Sequence, residues 1–105
     1  NNENSSLNFW ATSSLMAPYY ELLLEISKWL QKKGLKKSYA QKYVVSLFSA
    51  LSDAAVIRSN EDLKLLVKTS QTPKGLNEET LKFLKKKGFY KQLNFSLEKI
   101  LKRLK

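Results

Sequence analysis

The chain has 105 residues, enough for one small core, and it contains neither Cys nor His, which excludes a disulfide framework, a thiolate zinc site and a His-based catalytic relay. Its formal charge of +10 comes from 19 basic and 9 acidic residues and raises polyanions as partners. All but Arg58 and Arg103 of those cations are Lys, so the bidentate fork that reads guanine is scarce, and a basic helical nucleic-acid binder ranks last among the readings.

No apolar run approaches the roughly 20 residues that cross a bilayer, and Asn1-Asn2-Glu3-Asn4 lacks the basic and apolar parts of a signal peptide. The expectation is a soluble protein without a membrane partner, and the lack of Cys is compatible with a reducing cytoplasm. The first Met is Met16, and residues 1–8 are rich in Asn, Ser and Glu. They read as a linker ahead of a helical domain over residues 9–105, and the whole reads as part of a larger protein.

Periodicity and punctuation predict five helices and no strand, an all-α fold. The first helix runs from about Ser14 to Lys33, with Ser13 and Ser14 as cap candidates, Pro18 in its first turn and Gly34 as its stop. The second runs from Ser38 to about Ile57, with Ser38 and Gln41 as a capping box. A third follows Ser59, whose spacing to Asp62 is a further cap signal, and covers Leu63, Leu66 and Val67 before Thr72-Pro73. Asn77 is the candidate cap of the fourth, which holds Leu81 and Leu84 and ends at Gly88. The fifth repeats apolar residues at Tyr90, Leu93, Leu97, Ile100, Leu101 and Leu104. Its basic end, Lys102-Arg103-Lys105, and Lys85-Lys86-Lys87 suit the negative end of a helix dipole and read as solvated.

In the first long helix Glu21, Glu25, Lys28 and Lys32 form one narrow stripe, and apolar residues surround most of the remaining cylinder. The second long helix has an apolar face at Tyr39, Tyr43, Leu47, Leu51 and Ala54, with small Ser residues opposite. A monomeric bundle is one outcome. The preferred one is a two-fold dimer in which long helices of two chains interlock, burying Leu23, Ile26 and Leu30 with Tyr43, Leu47 and Leu51.

Gly34, Gly75 and Gly88 are too far apart to make a dinucleotide or Walker loop, so no cofactor site is expected in this chain. Taken by itself, the segment Ser70-Gln71-Thr72-Pro73-Lys74-Gly75-Leu76-Asn77 is a proline-stopped helix end followed by an Asn cap, which needs no ligand. With Leu81, Leu84, Gly88-Phe89 and Leu93 behind it, the segment resembles the Ser-Pro-Gly-Gly-Thr-Thr loop and following helices of pyrroline-5-carboxylate reductases. Upstream, Ala11-Thr12-Ser13-Ser14 leading to Pro18-Tyr19 and Glu25 is similar to the Gly-Ser-Gly-Pro-Ala-Tyr approach to that family's long dimerisation helix. The resemblance covers Asn8 to Lys105.

It implies a five-helix domain interlocked in a homodimer, like the C-terminal domain of 6-phosphogluconate-dehydrogenase-like reductases. It also implies an N-terminal Rossmann domain in the parent that binds NAD(P)H and reduces a small imino acid, pyrroline-5-carboxylate, to proline. The loop would hold the substrate carboxylate through Thr72, Gly75, Leu76 and Asn77; no catalytic acid or base is assigned. Thr72 stands for the family's Ser, Lys74 for its first Gly, and Leu76-Asn77 for its two Thr. These changes remove backbone freedom and add bulk, which leaves open a non-catalytic relative that keeps the fold.

Overall fold

The computed structural model describes the backbone of residues 2–105 and the side chains from residue 5 onward. Among these residues there is no strand. The helices are α1 (Asn2–Thr12), a 3₁₀ turn (Ser13–Leu15), α2 (Met16–Lys32), α3 (Lys37–Ile57), α4 (Leu63–Thr69), α5 (Leu76–Lys86) and α6 (Phe89–Leu104). The all-α expectation holds, and α2 to α6 are the five predicted helices. None is long and apolar enough to cross a membrane.

α1 is the exception. It takes in residues read as linker, and Ala11 near its end is buried. Polar composition suggested exposed chain there, but packing of α1 on α6 supplies what periodicity does not.

The residues divide into two units, one of Met16–Leu66 and one joining the chain up to Leu15 with Val67–Lys105. In the first, α2 pairs with α3. The connection is short because Gly34, at φ 109, takes the left-handed conformation that ends a helix, and its N–H donates to the Gln31 carbonyl at 3.0 Å. The seam is made of Ser27, Ala40 and Val44, all buried. Two of these three are small, which brings the backbones close, and Gln31 Nε2 donates to Ser27 Oγ at 3.2 Å, so the buried hydroxyl has a partner. Tyr19 meets Phe48 edge-on at 6.3 Å. The short connection from Lys32 to Lys37 and the contact of Tyr19 with Phe48 make the hairpin antiparallel and leave the last turns of α3 running past the start of α2. Ile57, in that overhang, is 83% exposed.

The caps differ from those expected. α3 starts one residue before Ser38, with Lys36 as its N-cap and no side-chain cap, so the Ser38–Gln41 box does not form. Ser13 and Ser14 turn their hydroxyls back to the Trp10 and Ala11 carbonyls, at 2.6 and 2.7 Å, and finish α1 instead of starting α2. Ahead of α4 it is the Asp62 carboxylate that accepts the Lys64 N–H, at 2.9 Å, in place of Ser59. The bend before it is held by Arg58, whose Nε and Nη2 donate to the Glu61 carboxylate at 3.1 and 3.2 Å. That hydrogen bonding holds Glu61 below the ordinary carboxylate range, so its stabilising contribution is full at neutral pH and is lost as pH falls through the lowered value.

In the second unit α6 packs against both α1 and α5. Leu93, Leu97, Ile100, Leu101 and Leu104 make its half-buried stripe, at the expected spacing. Gly88, at φ 79, turns the chain between α5 and α6.

Candidate functional site

Two features stand out: the open face of the α2–α3 hairpin and the loop before α5. α3 covers only one side of α2. The polar stripe of Glu21, Glu25, Lys28 and Lys32 is exposed as expected, with Lys28 Nζ 3.4 Å from Glu25. Hydrogen bonding between the two carboxyls raises Glu21 and lowers Glu25, and Lys28 adds to the lowering of Glu25.

Between that stripe and the seam lies an apolar face that α3 does not reach. Leu22 is exposed, and Trp29 is 58% exposed with only Lys33 Nζ over its ring, 5.6 Å from the centroid. On α3 the stripe of Tyr43, Leu47 and Leu51 is likewise exposed, and Leu51 is 55% exposed. Leu23, Ile26 and Leu30, expected on the same surface, are half-buried. Leu23 lines a groove of about 220 Å³ along the seam with Tyr20, Leu24, Ser27, Gln41, Val44 and Val45.

The loop brings Thr72, Gly75, Leu76 and Asn77 together at the N-terminus of α5. Gly75 is the N-cap, in extended conformation, and its N–H donates to the Thr72 carbonyl at 2.8 Å. A Cβ on Gly75 would collide with the Thr72 hydroxyl and meet the Thr72 carbonyl oxygen at 3.0 Å, so this position needs glycine for space. Asn77 lies inside the helix and does not cap it, a correction to the sequence reading. Leu76, the first helical residue, is 84% exposed. Among the described residues no group of His, Cys, Asp and Glu is arranged to hold a metal ion.

Lys74 sits at φ 63, the only non-glycine residue described in the left-handed region. The strain there costs on the order of 1–2 kcal/mol, partly offset in a glycine variant by the freer unfolded chain. Lys74→Gly is therefore expected to raise stability by about 1 kcal/mol, and Gly75→Ala to lower it by about 1–3 kcal/mol. Urea midpoints of the two variants check both signs; equal midpoints would mean the loop is not shaped as described.

Sequence reading assigned no role to Glu78. Its Oε1 accepts the Lys74 N–H at 3.3 Å and stands 3.5 Å from Lys82 Nζ. The signal was present in the spacing, since Glu78 and Lys82 are four apart in the favourable order.

The uncovered apolar flank of the hairpin is the kind of surface that marks an interaction site. The pyrroline-5-carboxylate reductase dimerisation family matches residues 8–105, and the chain belongs to it. No curated protein and no solved structure matches the chain.

Proposed function

We propose that the chain forms a homodimer through α2 and α3 and serves a pyrroline-5-carboxylate reductase-like oxidoreductase as its dimerisation and carboxylate-loop domain. The observation that carries this is the exposed apolar surface of Leu22, Trp29, Tyr43, Leu47 and Leu51. Leaving such a surface in water is unfavourable by roughly 25 cal/mol per Å². A second hairpin, apolar on the same flank, covers it by two-fold symmetry, each chain giving what it receives.

The family resemblance assigns the parent the reduction of pyrroline-5-carboxylate to proline in the cytoplasm, with NAD(P)H on a Rossmann domain. Phosphate-cradling glycine turns join a strand to a helix, and Gly34, Gly75 and Gly88 all lie between or beside helices. None of them is such a turn, so the dinucleotide is assigned to the parent's Rossmann domain and not to these residues. What the chain offers the substrate is binding. At the start of α5 the N–H groups of Leu76, Asn77 and Glu78 have no intrahelical acceptors, and with the Thr72 hydroxyl they suit a small carboxylate.

A second reading, a relative that keeps the fold without turnover, is favoured by Lys74 in a left-handed position and by the bulk of Leu76. Association is common to both. Sedimentation equilibrium of the chain at micromolar concentration is expected to give twice the chain mass; a single chain mass up to the highest soluble concentration would end the dimer reading.

A further inference from the structure

We propose that the outer face of α6 is a binding surface for single-stranded nucleic acid, on which Phe95 stacks against a base while Lys91, Lys99 and Lys102 hold phosphates.

The helical repeat sets Lys91, Phe95, Lys99 and Lys102, at spacings of four, four and three, within about a quarter of the α6 circumference. All four are exposed, and they lie opposite the half-buried stripe of the helix, which packs against α1 and α5. None of the three lysines has an ion-pair partner among the described residues. Glu98, at the edge of the face, is the one acidic residue of the helix.

Neither the core nor the helix dipole accounts for this face. Phe95 is 64% exposed and takes no part in the core stripe. Lys102 suits the negative end of the dipole, but Lys91 does not. It stands in the first turn of α6, which holds no acidic residue, so its charge meets the positive end, where a cation is disfavoured. A residue that breaks a local rule without a compensating contact points to function more than to folding. The charge is also uneven along the chain. The unit containing α6 has 11 of the 19 basic residues and 4 of the 9 acidic ones, a formal +7 of the total +10, so attraction of a polyanion centres there.

A ring between cations fits a polyanion that offers a flat face beside each charge. A single strand does this, because its unpaired bases expose a π-face next to every phosphate. Lys91, Phe95 and Lys99 follow one another at about 6 Å along the axis, so cation and ring alternate on the helix as phosphate and base alternate on the strand. A duplex keeps its bases stacked inside. An anionic bilayer calls for an apolar face to insert, and that of α6 is already packed in the fold. The scarcity of Arg bears on reading a base sequence, not on holding phosphates, so the binding is without sequence preference.

The test follows the anisotropy of a labelled oligouridylate titrated with the full chain over a range of salt concentrations. Four variants accompany the wild type: Phe95→Leu, Phe95→Tyr, Lys91→Gln with Lys99→Gln, and Lys36→Gln with Lys37→Gln. The last pair removes the same charge from exposed positions of the other unit. Every substituted side chain is exposed, and circular dichroism at the helical band confirms that each variant is folded. Phe95→Leu keeps an apolar contact but loses the ring, and is expected to weaken binding by about fivefold or more with the salt slope unchanged; Phe95→Tyr should follow wild type. Lys91→Gln with Lys99→Gln should lower the slope of log K against log salt by about 1.4, whereas the Lys36 and Lys37 pair should leave it as in wild type. No binding of the oligouridylate at low salt overturns the proposal, as does equal affinity of Phe95→Leu and wild type. Equal loss in the two lysine pairs would reduce the effect to net charge and overturn it too. Phe95-dependent binding to phosphatidylserine vesicles with none to the oligouridylate would replace it with a membrane surface.

Discussion

Val44→Asp is expected to unfold the α2–α3 hairpin. Val44 is 1% exposed and lies with the buried Ala40 and Ser27 in the seam between the two helices. An aspartate there must either keep its charge out of water without a cation or take up a proton to avoid doing so. No basic side chain lines the groove beside it, whose polar members are the Tyr20, Ser27 and Gln41 side chains. The cost is roughly 3–5 kcal/mol, the range for an uncompensated buried charge. The seam has only three buried side chains to oppose it. Thermal unfolding followed at the helical band should show the transition lost or displaced by well over ten degrees; a change of a degree or two would mean that Val44 is not in a closed seam.

Leu47→Lys combined with Leu51→Lys should act differently, leaving each hairpin helical and separating the two copies. Both side chains are exposed on α3, at 39% and 55%, so charging them disturbs the seam far less than a change at the buried Val44. In the proposed dimer each would enter a dry surface, where truncating or charging an anchor costs about 2 kcal/mol or more. Two sites in each of two chains then weaken association by roughly a thousandfold or more. A dilution series by sedimentation or fluorescence anisotropy measures this. A dissociation constant within threefold of wild type would remove α3 from the interface.

The helical class and the two glycine stops were legible from sequence because each rests on one local rule. Gly34 and Gly88 both adopt the left-handed conformation that ends or joins helices, and the Glu21–Lys32 stripe faces water as its spacing predicts. Helix starts were not. A Ser, Thr or Asn suits an N-cap only if the chain leaves the helix there, and tertiary packing decides that. α3 begins before Ser38, and α5 begins with Gly75 as cap because the tight approach to Thr72 fixes the loop upstream of Asn77.

α1 was hidden for a related reason. Its Asn, Ser and Glu residues carry no amphipathic signal, and it is the small Ala11, buried where α1 packs on α6, that makes helix the better state. At the loop, the positions matching the family pattern were visible in sequence. The role of Glu78 was not, because it depends on Lys74 accepting a conformation that lysine seldom takes.

The most direct test of the central claim, that two copies associate through α2 and α3, is an isotope-filtered NOE experiment on an equal mixture of labelled and unlabelled chains. Such a mixture reports only contacts between copies. The account predicts intermolecular cross-peaks from Leu47 and Leu51 methyls and from the Tyr43 and Trp29 rings to residues of α2 and α3 in the other chain. Intermolecular cross-peaks confined to α5 and α6, or none from a sample that sediments as a single chain, would contradict it.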